Sequence, residues 1–237
     1  MIGDQGSSRL RCEWGLVGGG LVAEGCDVAV VVDVLSFTTT LSVALDRGVA
    51  VIPSATRTGP PGVVIAGRRA EGGLSLSPGS VRCVEPPPEV MVLPSPNGST
   101  ISAALASTVP TVLAACLRNA SAVAAWLAAR PGLTVAVVPA GERWSDGGLR
   151  PAVEDLWGAG AVLSTLVAGA DASPEARAAV AAFDAVRPRL GHEMRACSSG
   201  RELIDLGFPG DVDIASERDT SVVVPVLVDG TFRPHVP

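Results

Sequence analysis

Asp33 closes an unbroken apolar run, Val28 to Val32, and is followed at once by the hydroxyls of Ser36, Thr38, Thr39 and Thr40 at the start of an apolar helical stretch. A β-branched run without polar interruption predicts a strand covered on both faces. That puts Asp33 near its carboxyl end, where open α/β sheets bind ligands. Unpaired N–H groups and the positive end of a helix dipole stabilise phosphate or sulfonate oxygens, and a carboxylate beside them holds a divalent cation. Ser and Thr are also ordinary helix caps and Asp an ordinary strand end, so this stretch alone leaves both readings open. Leu35 stands where aspartyl-nucleophile phosphatases, with their D-x-D-x-[TV] pattern, need a second Asp.

Three further turns repeat the arrangement. Ser95 to Ser99 reads SPNGS, in which Asn97 and Ser99 offer neutral polar contacts and Gly98 permits close backbone approach; a plain capped N-G turn has the same composition. Arg118 and Asn119 lead from the next predicted strand into a helix, where a guanidinium suits bidentate binding of phosphate or sulfonate and Asn119 suits a cap. Glu142 follows the strand after that, as a metal ligand, a base or a simple loop carboxylate. Pro151 at a helix start places Glu154 and Asp155 in the first turn, where the dipole favours acids with or without a function. Gly158, Ala159 and Gly160 then make a small-residue face that lets a neighbouring backbone come close.

The elements that must carry these residues alternate. Strands are expected at 28–34, 49–52, 62–66, 90–94, 111–116 and 133–138, with strand-like segments at 212–215 and 221–228. Helices are expected near 38–47, 99–107, 119–129, 151–168, 174–187 and 199–206. Such alternation predicts an α/β fold with a mostly parallel sheet. The 237 residues, 47% hydrophobic, are read as one compact unit over 1–237, with at most a small subdomain boundary near 56–90. The Ala-rich helix Ala176 to Val186 serves either as core or as the face of a homodimer.

A formal charge of −6 argues against a nucleic-acid partner and implies that an anionic ligand is met by local Arg, helix N-termini or a metal, which predicts Mg²⁺. All 18 basic residues are Arg, there is no Tyr, and Asn occurs only at 97 and 119, a bias expected of a high-G+C genome. Cysteines 12, 26, 83, 116 and 197 lack C-x-x-C spacing and are expected reduced and mostly buried. MIGDQGSSRL has no charged-then-apolar leader pattern and no apolar run spans a bilayer, so a cytoplasmic location without membrane contact is expected. GGGLVAE, 18–24, matches a dinucleotide fingerprint only superficially, because the preceding strand and following long helix are missing; a flexible turn with a short helix is expected instead. A Ser-His-Asp arrangement is not expected, with His192 in a polar loop and His235 in the tail.

Taken together, DVLSFTTT, SPNGS, CLRNA, VPAGE and VEDLWGAGAV, in this order and at these spacings, resemble the 2-phosphosulfolactate phosphatase (ComB-like) family from about Glu13 to Pro225; SSGRELIDLGFPGDVDIA and VVVPVL resemble its C-terminal part. The resemblance implies a three-layer α/β/α fold and a Mg²⁺-dependent acid phosphatase acting on the phosphate ester of a small sulfonated hydroxy acid, within coenzyme M biosynthesis. It carries over Asp33, Thr38, Thr39, Thr40, Asn97, Gly98, Ser99, Arg118, Asn119, Glu142, Glu154 and Asp155. In the mechanism so implied, Asp33, Glu142 and one of Glu154 or Asp155 hold Mg²⁺, while Arg118 and the hydroxyls after Asp33 neutralise the phosphoryl oxygens for attack by water. The family's first motif often reads DVLRATTT, so the Arg expected at Ser36 is absent. In GRRAEGGLSLSPGS, Arg68 stands in an acidic place; Arg68 or Arg69 is the candidate for the lost charge and Glu71 for the lost carboxylate. The alternatives are a phosphatase for another phosphorylated 2-hydroxy acid and a non-catalytic small-anion binder.

Overall fold

The computed structural model describes residues 5–235, so the first four residues of the stretch inspected for a leader lie outside it. In chain order the elements are β1 (Leu10–Cys12), α1 (Gly15–Ala23), β2 (Val28–Val32), α2 (Phe37–Asp46), β3 (Ala50–Ser54), β4 (Val64–Ile65), α3 (Pro78–Cys83), β5 (Val90–Pro94), α4 (Gly98–Leu105), β6 (Thr111–Ala115) and α5 (Ala120–Ala128). They continue as β7 (Val135–Pro139), β8 (Glu142–Arg143), β9 (Leu149–Arg150), α6 (Val153–Leu163), α7 (Pro174–Val186), α8 (Leu190–Ala196), α9 (Ser198–Asp205), α10 (Pro209–Ala215), β10 (Pro225–Val228) and β11 (Thr231–Pro234).

Nine strands form one sheet in the order β1-β7-β2-β6-β10-β11-β3-β5-β4. The first four are mutually parallel, as are the last three, and the antiparallel hairpin β10–β11 joins the two groups. The sheet is thus mostly parallel, with helices on both faces, as expected. β2 shows why its run is unbroken: Val28, Val30 and Val32 enter one apolar core with α5, α6 and α7, while Ala29 and Val31 enter the other with α1, α2 and α4. Alternate residues of one buried strand therefore feed both layers.

The small-residue face of α6 behaves as its composition predicts. A Cβ on Gly160 would stand 2.1 Å from the Ala179 carbonyl oxygen of α7, and one on Gly158 2.7 Å from Val32. Ala176, Ala179 and Phe183 turn the buried stripe of α7 to this core, which settles the core alternative for that stripe. Gly160→Ala should cost about 3 kcal/mol, because backbone and not a flexible side chain must move. Thermal unfolding checks it.

Several local expectations are corrected. Residues 212–215 are the end of helix α10 rather than a strand: Pro209 starts the helix at its first turn, and Val212, Ile214 and Ala215 form its buried face. His192 lies on α8, not in a loop. Residues 15–23 form a regular nine-residue helix, in which Gly19 permits contact with Val138, since a Cβ there would fall 2.4 Å from its methyl carbon. No strand is expected from the sequence at β1, three residues paired only with the distant β7, or at β11, four residues that pair with the adjacent β10 and with the distant β3. Four of the five cysteines are buried and all are free; Cys83 is exposed. Among the described residues no helix is long and apolar enough to cross a membrane.

Candidate active site

Asp33 is the meeting point of two helix starts. Its Oδ1 accepts the Phe37 N–H of α2 at 3.2 Å; its Oδ2 accepts the Gly98 N–H of α4 at 2.8 Å and the Ser95 hydroxyl at 3.4 Å. Although β6, β10, β11 and β3 lie between β2 and β5 in the sheet order, the sheet coils enough to bring these two strand ends together. Gly98 is needed for this approach: a Cβ would lie 2.4 Å from the Phe37 ring and 2.7 Å from Asp33 Oδ2. The N-termini that the sequence offers to an external anion are therefore occupied by the protein's own carboxylate.

The hydroxyls after Asp33 lock the turn. Thr38 Oγ1 donates to the Asp33 carbonyl at 2.8 Å and Thr39 Oγ1 to the Val34 carbonyl at 2.7 Å, and all three threonines are buried. Ser99 Oγ likewise donates to the Leu93 carbonyl at 3.1 Å. Asn119 Oδ1 accepts Cys116 N–H at 2.8 Å while Nδ2 donates to the Val223 carbonyl at 3.1 Å, tying β6 to the C-terminal segment. These side chains face backbone groups, so in this structure Thr38, Thr39, Ser99 and Asn119 hold the turns around the site and are not among the residues lining its cleft. Thr40 Oγ1 is buried and has no hydrogen-bond partner among the described residues.

Arg118 is likewise engaged within the fold. Its guanidinium is buried against Asp46 at 2.7 Å, against Glu217, and near Ser42 Oγ at 3.4 Å, and it does not line the cleft at Asp33. Two acids already satisfy its charge. Arg118→Ala should keep the catalytic rate within about threefold and lower stability by about 2 kcal/mol, the cost of losing charge-assisted hydrogen bonds from a buried guanidinium to two partly exposed acids. Parallel rate and urea-unfolding measurements check it.

The carboxylates do converge. Asp33, Asn97 and Glu142 line one cleft of about 180 Å³ with Ser36, Arg69, Ser199 and Glu202. Glu142 lies on β8, where it pairs with Arg150 of β9, and Asn97 Nδ2 donates to its Oε2 at 2.9 Å while Asn97 Oδ1 accepts from Arg143 at 3.3 Å. Glu154, in the first turn of α6, is 2% exposed and lies beside Cys197, whose thiol is pushed up to about 12 by burial first and then by Glu154. Burial raises Asp33 to about 6, against the hydrogen bonds from Phe37, Gly98 and Ser95, with Glu154 adding to the rise. Burial also raises Glu142 to about 7, helped by Asp33 and Glu154 and opposed by Arg150 and Asn97. Asp33 and Glu142 are thus each raised by burial first and then by neighbouring carboxylates.

Asp155 stands apart from them in role. Its two oxygens accept Val34 N–H at 2.6 Å and Gly141 N–H at 2.9 Å, clamping the ends of β2 and β7. Burial raises its pKa well above the usual range despite these bonds. Glu154 is therefore the freer of the two acids on α6.

A second cavity, about 240 Å³ and walled mainly by Trp14, Leu16, Ile101 and Leu149, adjoins the cleft through Asn97 and Glu142. Sequence reasoning missed Trp14 and Leu149, whose segments come into contact only in the folded chain.

Residues 66–230 match the family model described as 2-phosphosulpholactate phosphatase. The chain belongs to that family. Among curated relatives of the 2-phosphosulpholactate phosphatase family, a 2-phosphosulfolactate phosphatase of Methanothermobacter thermautotrophicus is 33% identical over 89% of this chain and 91% of its own length. Probable 2-phosphosulfolactate phosphatases of Deinococcus radiodurans and Thermotoga petrophila are 32% and 31% identical over 88% and 87% of this chain, covering 90% and 92% of theirs. The resemblance inferred from five short motifs thus extends along most of the chain.

Proposed function

We propose that this protein hydrolyses 2-phosphosulfolactate to sulfolactate and phosphate, at the cleft lined by Asp33 and Glu142, with the buried Glu154 close enough to act on both. That gathering of carboxylates, from a strand end, a hairpin and a helix start, carries the reading, because neighbouring carboxylates that raise one another are relieved by protons or by a cation. The chemistry of the donor set suits a hard dication. Among the described residues no three His, Cys, Asp or Glu side chains stand ready to hold a metal by themselves. Mg²⁺ commonly takes only one or two carboxylates and completes its shell with water and substrate oxygens, which this cleft allows. Asp33 and Glu154 would hold it, and when bound it supplies charge neutralisation at the phosphoryl group.

The chain's own groups supply the rest. Glu142 borders the cleft, is oriented by Asn97, and has its pKa near the pH at which a base both takes and returns a proton. Water attacks phosphorus, its proton passes to Glu142, the P–O bond to the hydroxy acid breaks, and the leaving oxygen takes up that proton. The adjoining cavity walled by Trp14, Leu16, Ile101 and Leu149 favours, as a second reading, a phosphomonoester of an organic acid with an apolar body.

The experiment is phosphate release from 2-phosphosulfolactate, 2-phospholactate and an aryl phosphate, with Mg²⁺ and with EDTA. Metal-dependent release that prefers the sulfonate is expected. Equal or reversed preference moves the assignment to the second reading, and inactivity of folded protein on all three overturns both.

A further inference from the structure

Three acids line the cleft, Asp33, Glu142 and Glu202, and Arg69 is the one cation among its described lining residues. Glu202 is matched by Arg150 from the neighbouring hairpin, at 2.8 and 3.0 Å. A phosphorylated, sulfonated acid entering here would meet net repulsion without a positive group.

Arg69 is built into place and not merely nearby. Its Nε donates to Asp211 Oδ2 at 3.1 Å, one terminal nitrogen donates to Ser36 Oγ at 2.6 Å, and the guanidinium lies 5.6 Å from the Phe208 ring centre. Asp211 is 4% exposed and is itself fixed by the Ser77 hydroxyl at 2.7 Å and the Gly79 N–H at 3.1 Å, both on its other oxygen. The anchor is therefore rigid. A guanidinium carries five N–H bonds. Two are used, and the others have no hydrogen-bond partner among the described residues. A fork held along one edge with its remaining donors free, at the wall of a cleft whose other charged lining residues are all acids, is matched to a tetrahedral oxyanion.

We propose that Arg69 binds the anionic oxygens of the substrate, phosphoryl or sulfonate, and that Asp211 and Ser36 aim it; the proposal rests on the phosphatase reading above. Ser36 and Arg69 address one point from two segments 33 residues apart. A guanidinium delivered from position 36 should therefore do the same work.

The test uses the full chain: KM and kcat for 2-phosphosulfolactate, with inhibition by inorganic phosphate and by methanesulfonate, in wild type, Arg69→Met, Asp211→Asn, Arg69→Ser and the double exchange Ser36→Arg/Arg69→Ser. Arg69→Met should raise KM about 10- to 100-fold, the range for a lost charge-assisted contact, with a smaller change in kcat. Asp211→Asn should give an intermediate rise, and the double exchange should recover part of what Arg69→Ser loses, which a purely structural role would not produce. Weakened phosphate inhibition assigns the fork to the phosphoryl group, and weakened methanesulfonate inhibition to the sulfonate. Folded Arg69→Met with KM and both inhibition constants within about twofold of wild type overturns the proposal. If that variant melts too low to assay, Arg69→Lys replaces it, keeping a charge without the fork, and a KM rise of the same sign is required. Calorimetric titration of wild type and variants with inorganic phosphate and with methanesulfonate separates the two failures: absence of turnover removes the phosphatase reading, whereas equal binding of both anions by wild type and Arg69→Met removes the role of Arg69.

Discussion

Asp33→Asn is expected to lower phosphate release by about a thousandfold while the protein stays folded. The rate effect is of the size seen when one preorganised charged or hydrogen-bonding group is removed from a reacting centre. Two opposing effects keep the fold. An amide retains only one acceptor oxygen, so its NH₂ must face either the Phe37 or the Gly98 N–H, a mismatch worth about 1–3 kcal/mol. Against it, the substitution removes a buried charge that repels Glu142 and Glu154. The melting temperature should consequently shift by only a few degrees, and circular dichroism with a steady-state assay reads both quantities. A variant that keeps more than a tenth of wild-type turnover would remove Asp33 from the reaction.

The second large effect is on stability against pH. Asp33 is raised to about 6 and Glu142 to about 7 in the folded chain, while in the unfolded chain both titrate near 4. Between those limits the native state binds more protons than the unfolded state, so these two groups make stability fall as pH rises from about 4 to about 7. A shift of two units on a dry carboxyl corresponds to roughly 3 kcal/mol, and Glu142, being partly exposed, contributes less. Glu217 acts in the opposite sense: its pKa is lowered, first by the hydrogen bond from Arg82, and its contribution is lost as pH falls through that lowered value. The melting temperature without divalent cation should therefore be higher near pH 5.5 than near pH 7.5. Glu142→Gln should flatten that slope and raise the value at pH 7.5. Added Mg²⁺ should stabilise wild type more at pH 7.5 than at pH 5.5, since only the deprotonated cluster binds it. Identical melting curves at the two pH values in wild type and Glu142→Gln would show that these carboxyl groups do not repel one another.

Much of the site was readable because its residues sit at the ends of elements with strong local signals. The run VAVVV can only be a covered strand, so Asp33 had to lie at its end. SPNGS could turn only once before an apolar helix, and Pro151 opened the helix that carries Glu154. The small-residue face of α6 predicted a close backbone, and Ala179 provides it. What the sequence leaves open has one physical origin. A helix N-terminus or a buried guanidinium is satisfied by whichever charge the fold brings nearest, and sequence spacing does not show which one that is.

The sequence by itself determined the alternating elements, the double-faced burial of β2, the positions of the carboxylates and the family. Only the tertiary structure decided their partners. Gly98 reaches Asp33 across 65 residues, so the carboxylate fills the two helix starts that a phosphate was expected to fill. Arg118 reaches Asp46 across 72 residues and Glu217 across 99, so its charge is neutralised inside the fold. Arg69, in a Gly-rich stretch without a strong local signal, is carried to Ser36 and becomes the cation of the cleft. Local propensity depends on near neighbours in the chain and can be read there; pairing of charges depends on distance in space and becomes definite only when the strands take their order.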